Sequence, residues 1–279
     1  MKKYAFFLTL ALTTSFSAVL SQEHKLTKLW QTDSLLKVPE SVLYDAVNNI
    51  LYVSNIDGEA GGKDGKGSIG KVAPDGKIIQ AEWVTGLNAP KGLGLYKGSL
   101  YVADLTEVSV IDVKSGKISR RIPVEGSSFL NDITIDKNGV VFVSDSRKKK
   151  VHRIENGKVS TILDSLSLKG PNGLLAHGND FYVLDAGTMY KMNTGRQLTK
   201  VAEGMETSTD GIEHVTGNDF IVSSWIGAVY YIHADGTKET LLDTRDQKIN
   251  SADIGFDASK KILYVPTFLK NSIVAYELK

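Results

Sequence analysis

The chain has no cysteine among its 279 residues. That single absence excludes disulfides, thiol catalysis, cysteine-ligated zinc and a lipid-modified N-terminal cysteine. Net charge is nearly absent too, since 33 Lys and Arg stand against 32 Asp and Glu, for +1 overall. There is no basic excess to hold a phosphate backbone, so nucleic acid is not an expected partner. The sequence also lacks the Gly-x-Ser-x-Gly elbow that would announce a serine hydrolase. No apolar run is long enough for a confident membrane span.

The longest apolar stretch lies at the start, in "MKKYAFFLTLALTTSFSAVLSQEH". A basic tip, a short apolar core and small residues before a cut after Ser21 describe a secretory signal peptide, residues 1–21. An uncleaved anchor is the alternative. Cleavage removes Lys2 and Lys3 and no acid, so the formal charge moves from +1 to about −1. The expected product is residues 22–279, periplasmic or secreted, free of the membrane and monomeric.

What the sequence does have is repetition. A strand-like heptapeptide recurs as "ILYVSNI" at 50, "SLYVADL" at 99, "VVFVSDS" at 140, "DFYVLDA" at 180, "DFIVSSW" at 219 and "ILYVPTF" at 262. Each alternates apolar residues as a half-buried strand does. A shorter apolar strand precedes every copy, and a third follows, ending in a turn such as "PDGK", "KSGK" or "ENGK". A fourth strand completes five of the six repeats. Four antiparallel strands per roughly 40 residues make the blade of a β-propeller. The fold class is therefore all-β, a six-bladed β-propeller.

The sixth repeat ends at Lys279 after its third strand, while "LTKLWQTDSL" near the N-terminus resembles the fourth strand "LTKVAEGME". The N-terminal segment is expected to complete the last blade and close the ring, removing exposed sheet edges. WD40 repeats have a similar period, but their Gly-His and Trp-Asp marks are missing.

Closure has a chemical consequence. The innermost strand of each blade lines the central channel, so residues at the start of those strands converge on one mouth. They read Glu40, Lys91, Asn131, Asn172, Asp210 and Asp253. Any one of the Asn or Asp residues is explained as a turn former. Two acids and two amides converging in one funnel, with Glu40 which forms no turn, call for a partner. Carboxylate and amide oxygens are hard ligands. They favour one divalent metal on the axis, Ca²⁺ before Zn²⁺ or Mg²⁺.

The repeat together with "PES" at Glu40, "LND" at Asn131, "PNG" at Asn172 and "TDG" at Asp210 resembles the SMP-30/gluconolactonase/LRE family, over about residues 24–279. The resemblance implies metal ligation by Glu40, Asn172 and Asp210. It implies that Asn131 contacts substrate or completes the metal shell, and that Asp210 is the general base of lactone hydrolysis. Pro39-Glu40-Ser41 replaces the Glu-Gly-Pro of many relatives, and Lys91 has no common family role. Lys91 either attracts an anionic substrate or pairs with Asp253. Asp132 either caps its local turn or helps hold a second, structural ion.

The sequence thus points to a metal-dependent hydrolase of a lactone or related cyclic ester, acting on a small molecule. The rival is a non-catalytic propeller that binds a protein or glycan and holds any metal structurally. Lesser features are "DGEAGGKDGKG" (57–67), a long solvated turn or a lid over the mouth, and "RKKK" (147–150), a solvated hairpin tip or a substrate-attracting rim. Trp225 and Phe268 cap the core or form an apolar substrate wall. The five histidines, His24, His152, His177, His214 and His233, show no metal-ligand spacing and are expected on surfaces or hairpins.

Overall fold

The computed structural model describes Met1 and residues 24–279. Apart from Met1, the expected signal peptide lies outside the described residues. Six four-stranded antiparallel sheets surround an axis, and five of them run in simple sequence order. The sixth is a composite: Leu26–Gln31 pairs antiparallel with Ile273–Leu278, at the outer edge of a sheet whose innermost strand is Gly255–Asp257. The six-bladed propeller and the split last blade are both present. Among the described residues no helix is long and apolar enough to cross a membrane.

Alternation in the strands supplies the packing. Second strands such as Ile50–Asn55 and Asp180–Asp185 are buried almost throughout, because both sheet faces meet a neighbouring blade. Outer strands such as Lys117–Pro123 keep most of their residues exposed. The apolar clusters accordingly lie between blades. One joins Leu100, Val102 and Ile111 of blade two to Tyr52 and Ile69 of blade one.

Trp30 ties the composite blade to blade one. Its indole N–H donates to the Pro74 carbonyl at 3.0 Å, and its ring lies 5.9 Å from that of Tyr264. Trp30→Ala should cost about 2–3 kcal/mol, below the roughly 3–5 of a fully buried tryptophan because this one is half-buried. Urea denaturation measures it; an unchanged midpoint would mean that this closure contact carries no stability.

Candidate metal and substrate site at the channel mouth

Five of the six residues proposed to converge lie within strands, and Asp253 stands two residues before its own. Glu40, Lys91, Asn131, Asn172 and Asp210 are each the second residue of an innermost strand: Pro39–Asp45, Pro90–Tyr96, Leu130–Ile135, Pro171–His177 and Thr209–Thr216. Each of these strands slips register against its neighbour at that point: between Pro39 and Ser41, Pro90 and Leu93, Leu130 and Ile133, Pro171 and Leu174, Thr209 and Ile212. These are β-bulges, which bend a strand and re-aim a side chain. The turn-former explanation is therefore replaced by a bulge repeated five times.

A bulge frees backbone groups that need partners when buried. Ser54 Oγ accepts from the Ser41 N–H at 2.9 Å, Ser144 Oγ from Asp132 at 2.9 Å, and Ser223 Oγ from Gly211 at 2.8 Å. All three serines are fully buried. They stand in "YVSN", "FVSD" and "IVSS", at the position where blades two and four have Ala103 and Leu184. The sequence carried the signal as a hydroxyl in an otherwise apolar strand, but assigned it no role.

Aspartates at the ends of second strands position the approach to each bulge. Asp104 accepts from the Asn88 and Ala89 N–H groups, Asp145 from Ser128, and Asp185 from Lys169 and Gly170, all within 3.1 Å. These carboxylates are spent on the backbone. Those of Glu40, Asp210 and Asp253 are not.

Asn172 Nδ2 donates to Asp210 Oδ1 at 2.8 Å. Asn172 Oδ1 and Glu40 Oε2 are both buried with no hydrogen-bond partner among the described residues. Ser41 Oγ donates to Asp253 Oδ2 at 2.5 Å, while the Asp253 N–H donates to the Glu40 carbonyl at 2.9 Å, so blade six closes onto blade one at the axis. Asn131 stands slightly apart: its Nδ2 donates to Ser146 Oγ at 3.1 Å, and that hydroxyl donates to the Pro171 carbonyl beside Asn172.

Asp132 has a structural task. Its Oδ1 accepts from the Ile133 N–H and its Oδ2 from the Leu174 N–H, both at 2.6 Å, which staples blade three to blade four. It also lines an axial cavity of about 190 Å³ with Ser41, Thr134, Glu213 and Asp253.

The electrostatics follow from this crowding. Burial, then Asp210, push the Glu40 carboxyl well above its usual range, and nearby Lys91 offsets part of the rise. Burial and Asp253 do the same to Asp210. Burial lifts Asp253 to about 7 against the pull of its Ser41 hydrogen bond, and burial with Asp253 lifts Glu213 to about 8. Burial lowers the Lys91 ammonium to about 8, though Glu40 and Asp104 favour its charge.

These shifts give a signed expectation. A carboxylate raised in the fold binds protons where the unfolded chain does not, so stability falls as pH rises through the window from its ordinary to its raised value. His152 and His177, both lowered by burial, act oppositely, but only below about pH 6.5. Lys91 relieves strain only above about 8. The chelated protein should therefore lose several degrees of melting temperature between about pH 6.5 and pH 8. Saturating divalent cation should remove that slope, and a flat profile without cation would contradict the buried-acid picture.

Above the acids the mouth is cationic and aromatic on one side. The buried Lys91 Nζ lies 4.4 Å from the centre of the Phe129 ring and donates to the Ala89 carbonyl at 2.9 Å. Exposed Arg147, from the "RKKK" turn, lies 4.3 Å from the same ring. Lys91 makes no ion pair with Asp253 among the described residues. The glycine-rich segment reaches Arg147 as well, since a Cβ on Gly61 would lie 3.2 Å from its Nη2. Ala60 packs with Phe129, Leu105 and Phe268 in one apolar cluster, and Trp225 meets Phe268 edge-on at 5.4 Å. The segment 57–67 thus leans over the mouth from blade one to blade three.

One histidine departs from the expected surface or hairpin position. His152 is buried, with its Nδ1 3.2 Å from Thr161 Oγ1. His177 and His214 stack with ring centres 3.7 Å apart. His24 and His233 meet at Glu239. None lies in the axial cluster.

No family model and no curated protein sequence matches this chain. Solved structures do. A streptogramin B lyase is 13% identical over 92% of this chain and 98% of its own, with a TM-score of 0.67. A chain of a nidogen/laminin complex is 17% identical over 79% of this chain and 85% of its own, with a TM-score of 0.65. A structural genomics protein of unknown function from Bacteroides thetaiotaomicron is 16% identical over 92% of this chain and 76% of its own, with a TM-score of 0.69. One of these is a lyase and another comes from a protein complex, so the likeness carries the fold and leaves the chemistry to the site. What the chain shares with them is the six-bladed β-propeller.

Proposed function

We propose that this protein is a metal-dependent hydrolase of a lactone or related cyclic ester, working outside the cytoplasm at the mouth of its channel. One observation carries the reading: two of the three expected ligands, Glu40 and Asn172, present buried oxygens with no partner, beside an Asp210 held by Asn172. Leaving such atoms unpaired is costly, and a cluster of mutually repelling buried acids is stabilised by a cation. The donor set is all oxygen, which suits Ca²⁺ or Mg²⁺ better than a softer ion.

The residues therefore fit a divalent ion held by Glu40, Asn172 and Asp210. Such an ion, when bound, polarises a carbonyl oxygen and acidifies water. The protein's own groups supply the rest. Asn172 fixes one oxygen of Asp210, leaving the other to take a proton. Asn131, held by Ser146, orients the substrate. Lys91 and Arg147, both set on Phe129, favour a substrate bearing negative charge.

A second reading has its own observation. Lys91 is buried near Glu40 and offsets its charge, so this ammonium serves as the internal counter-ion of a mouth that only binds a protein or glycan. Calorimetric titration of chelated protein with Ca²⁺, Mg²⁺ and Zn²⁺, beside a lactone panel on wild type and Asp210→Asn, separates the two. Metal-dependent turnover lost in the variant supports the hydrolase. Absence of both axial cation binding and turnover supports the binding propeller.

A further inference from the structure

A second group of ligand-type side chains lies where the ring is sealed. His24 leads into the N-terminal strand Leu26–Gln31, whereas His233 follows Ala228–Ile232 and Glu239 lies within Lys238–Asp243, the next strand of blade five. Their donor atoms all fall within 4.8 Å of one another. Glu239 Oε1 lies 3.3 Å from His24 Nδ1 and 2.5 Å from His233 Nε2. All three residues are half-buried, so an ion from solution can reach them.

We propose that His24, His233 and Glu239 bind a borderline transition-metal ion of the Zn²⁺ class, and that its occupancy latches the N-terminal strand to blade five. Two imidazoles and one carboxylate are a zinc donor set, with a fourth position left for water. Bonds of roughly 2.0–2.1 Å in a tetrahedral shell place ligand atoms about 3.3 Å apart. The His24 spacing already meets this. The His233 contact opens by less than an ångström when the ion takes the place of its hydrogen bond to Glu239.

The surroundings hold the ligands in place, as outer partners do at metal sites. The His24 ring stacks on Tyr231 with centres 3.7 Å apart and planes at 12°, and the Tyr231 hydroxyl donates to Asp219 at 2.8 Å. Glu239 Oε2 accepts the His24 backbone N–H at 2.8 Å, leaving Oε1 to face both rings. The His233 backbone pairs with Thr237 and Gly236 at the hairpin tip. Beside His24, Lys25 exchanges two backbone hydrogen bonds with Lys279 at the C-terminus. An ion here bonds the strand Leu26–Gln31, already zipped to Ile273–Leu278, onto the adjacent blade.

This site is independent of the axial one and uses nitrogen donors that the axis lacks. The test is the melting temperature of chelated protein with and without Zn²⁺, in wild type, Asp210→Asn, His233→Ala and Glu239→Gln. At hundredfold excess over Kd the expected shift is roughly 5–10 °C. It should persist in Asp210→Asn and vanish in His233→Ala and Glu239→Gln. Glu239→Gln retains shape and hydrogen bonding, so it guards against a folding defect in His233→Ala. Co²⁺ added to wild type should give ligand-field absorption that Zn²⁺ displaces. No Zn²⁺ shift, a shift surviving Glu239→Gln, or one lost only in Asp210→Asn would each overturn the latch and leave a hydrogen-bonded triad.

Discussion

Asp210→Asn is expected to lower metal-dependent lactone turnover by at least about 10²-fold, the usual scale of a positioned proton acceptor. Its effect on the cation should be direct. The new amide turns an N–H₂ or a neutral oxygen toward Asn172 Nδ2, which now donates to a carboxylate at 2.8 Å, and one negative charge leaves the site. The same change should raise the stability of the chelated protein, because Asp210 is a cause of the raised Glu40 carboxyl. Activity and cation affinity down, cation-free melting temperature up, is the pattern of a carboxylate kept for function at a cost in stability. Proton release on lactone hydrolysis, calorimetry and a thermal melt measure the three quantities. Undiminished turnover would remove Asp210 from the chemistry. A lower cation-free melting temperature would show that its charge is already neutralised within the fold.

Gly173→Ala should be the most destabilising small substitution near the mouth. A Cβ at Gly173 would lie 2.2 Å from the Asp210 carbonyl oxygen and 2.8 Å from Leu184 Cδ1. The first neighbour is backbone of the next blade and cannot swing away. The cost is expected at or above the top of the roughly 1–3 kcal/mol seen for overpacking. At this chain length that corresponds to a loss of about 6–12 °C or more in melting temperature. The blade carrying Asp210 must retreat from Asn172, so cation affinity should fall with stability. Gly211 has the same relation to blade six, where a Cβ would lie 2.5 Å from Asp253 Oδ1. The glycines of "PNG" and "TDG" thus let adjacent inner strands approach. Thermal melts of Gly173→Ala and Gly173→Ser would show it, and wild-type stability in both would mean that the blades slide apart freely.

These two predictions draw on different layers of information. Period, alternation and turn chemistry are local properties, so "ILYVSNI" and its five counterparts were enough to count the blades. The likeness of "LTKLWQTDSL" to "LTKVAEGME" was enough to foresee the composite blade, because a missing strand must be supplied somewhere. Glu40, Lys91, Asn131, Asn172 and Asp210 could be named because they recur at one place in the repeat. How they are aimed was not legible there. A bulge arises from mismatch between paired strands, and its completion by Ser54, Ser144 and Ser223 is a cross-strand hydrogen bond that no single strand encodes.

Asp132 looked equally suited to a turn or to an ion until the Leu174 N–H of the next blade appeared 2.6 Å away. His24 and His233 are separated by most of the chain, and only ring closure brings them to one carboxylate. The sequence by itself determined the blades, their number and the composition of the axial ring, since these follow from periodicity along the chain. Tertiary structure alone decided which polar groups were spent on the backbone and which were left facing one another. That outcome depends on distances between blades, and those exist only once the ring is closed.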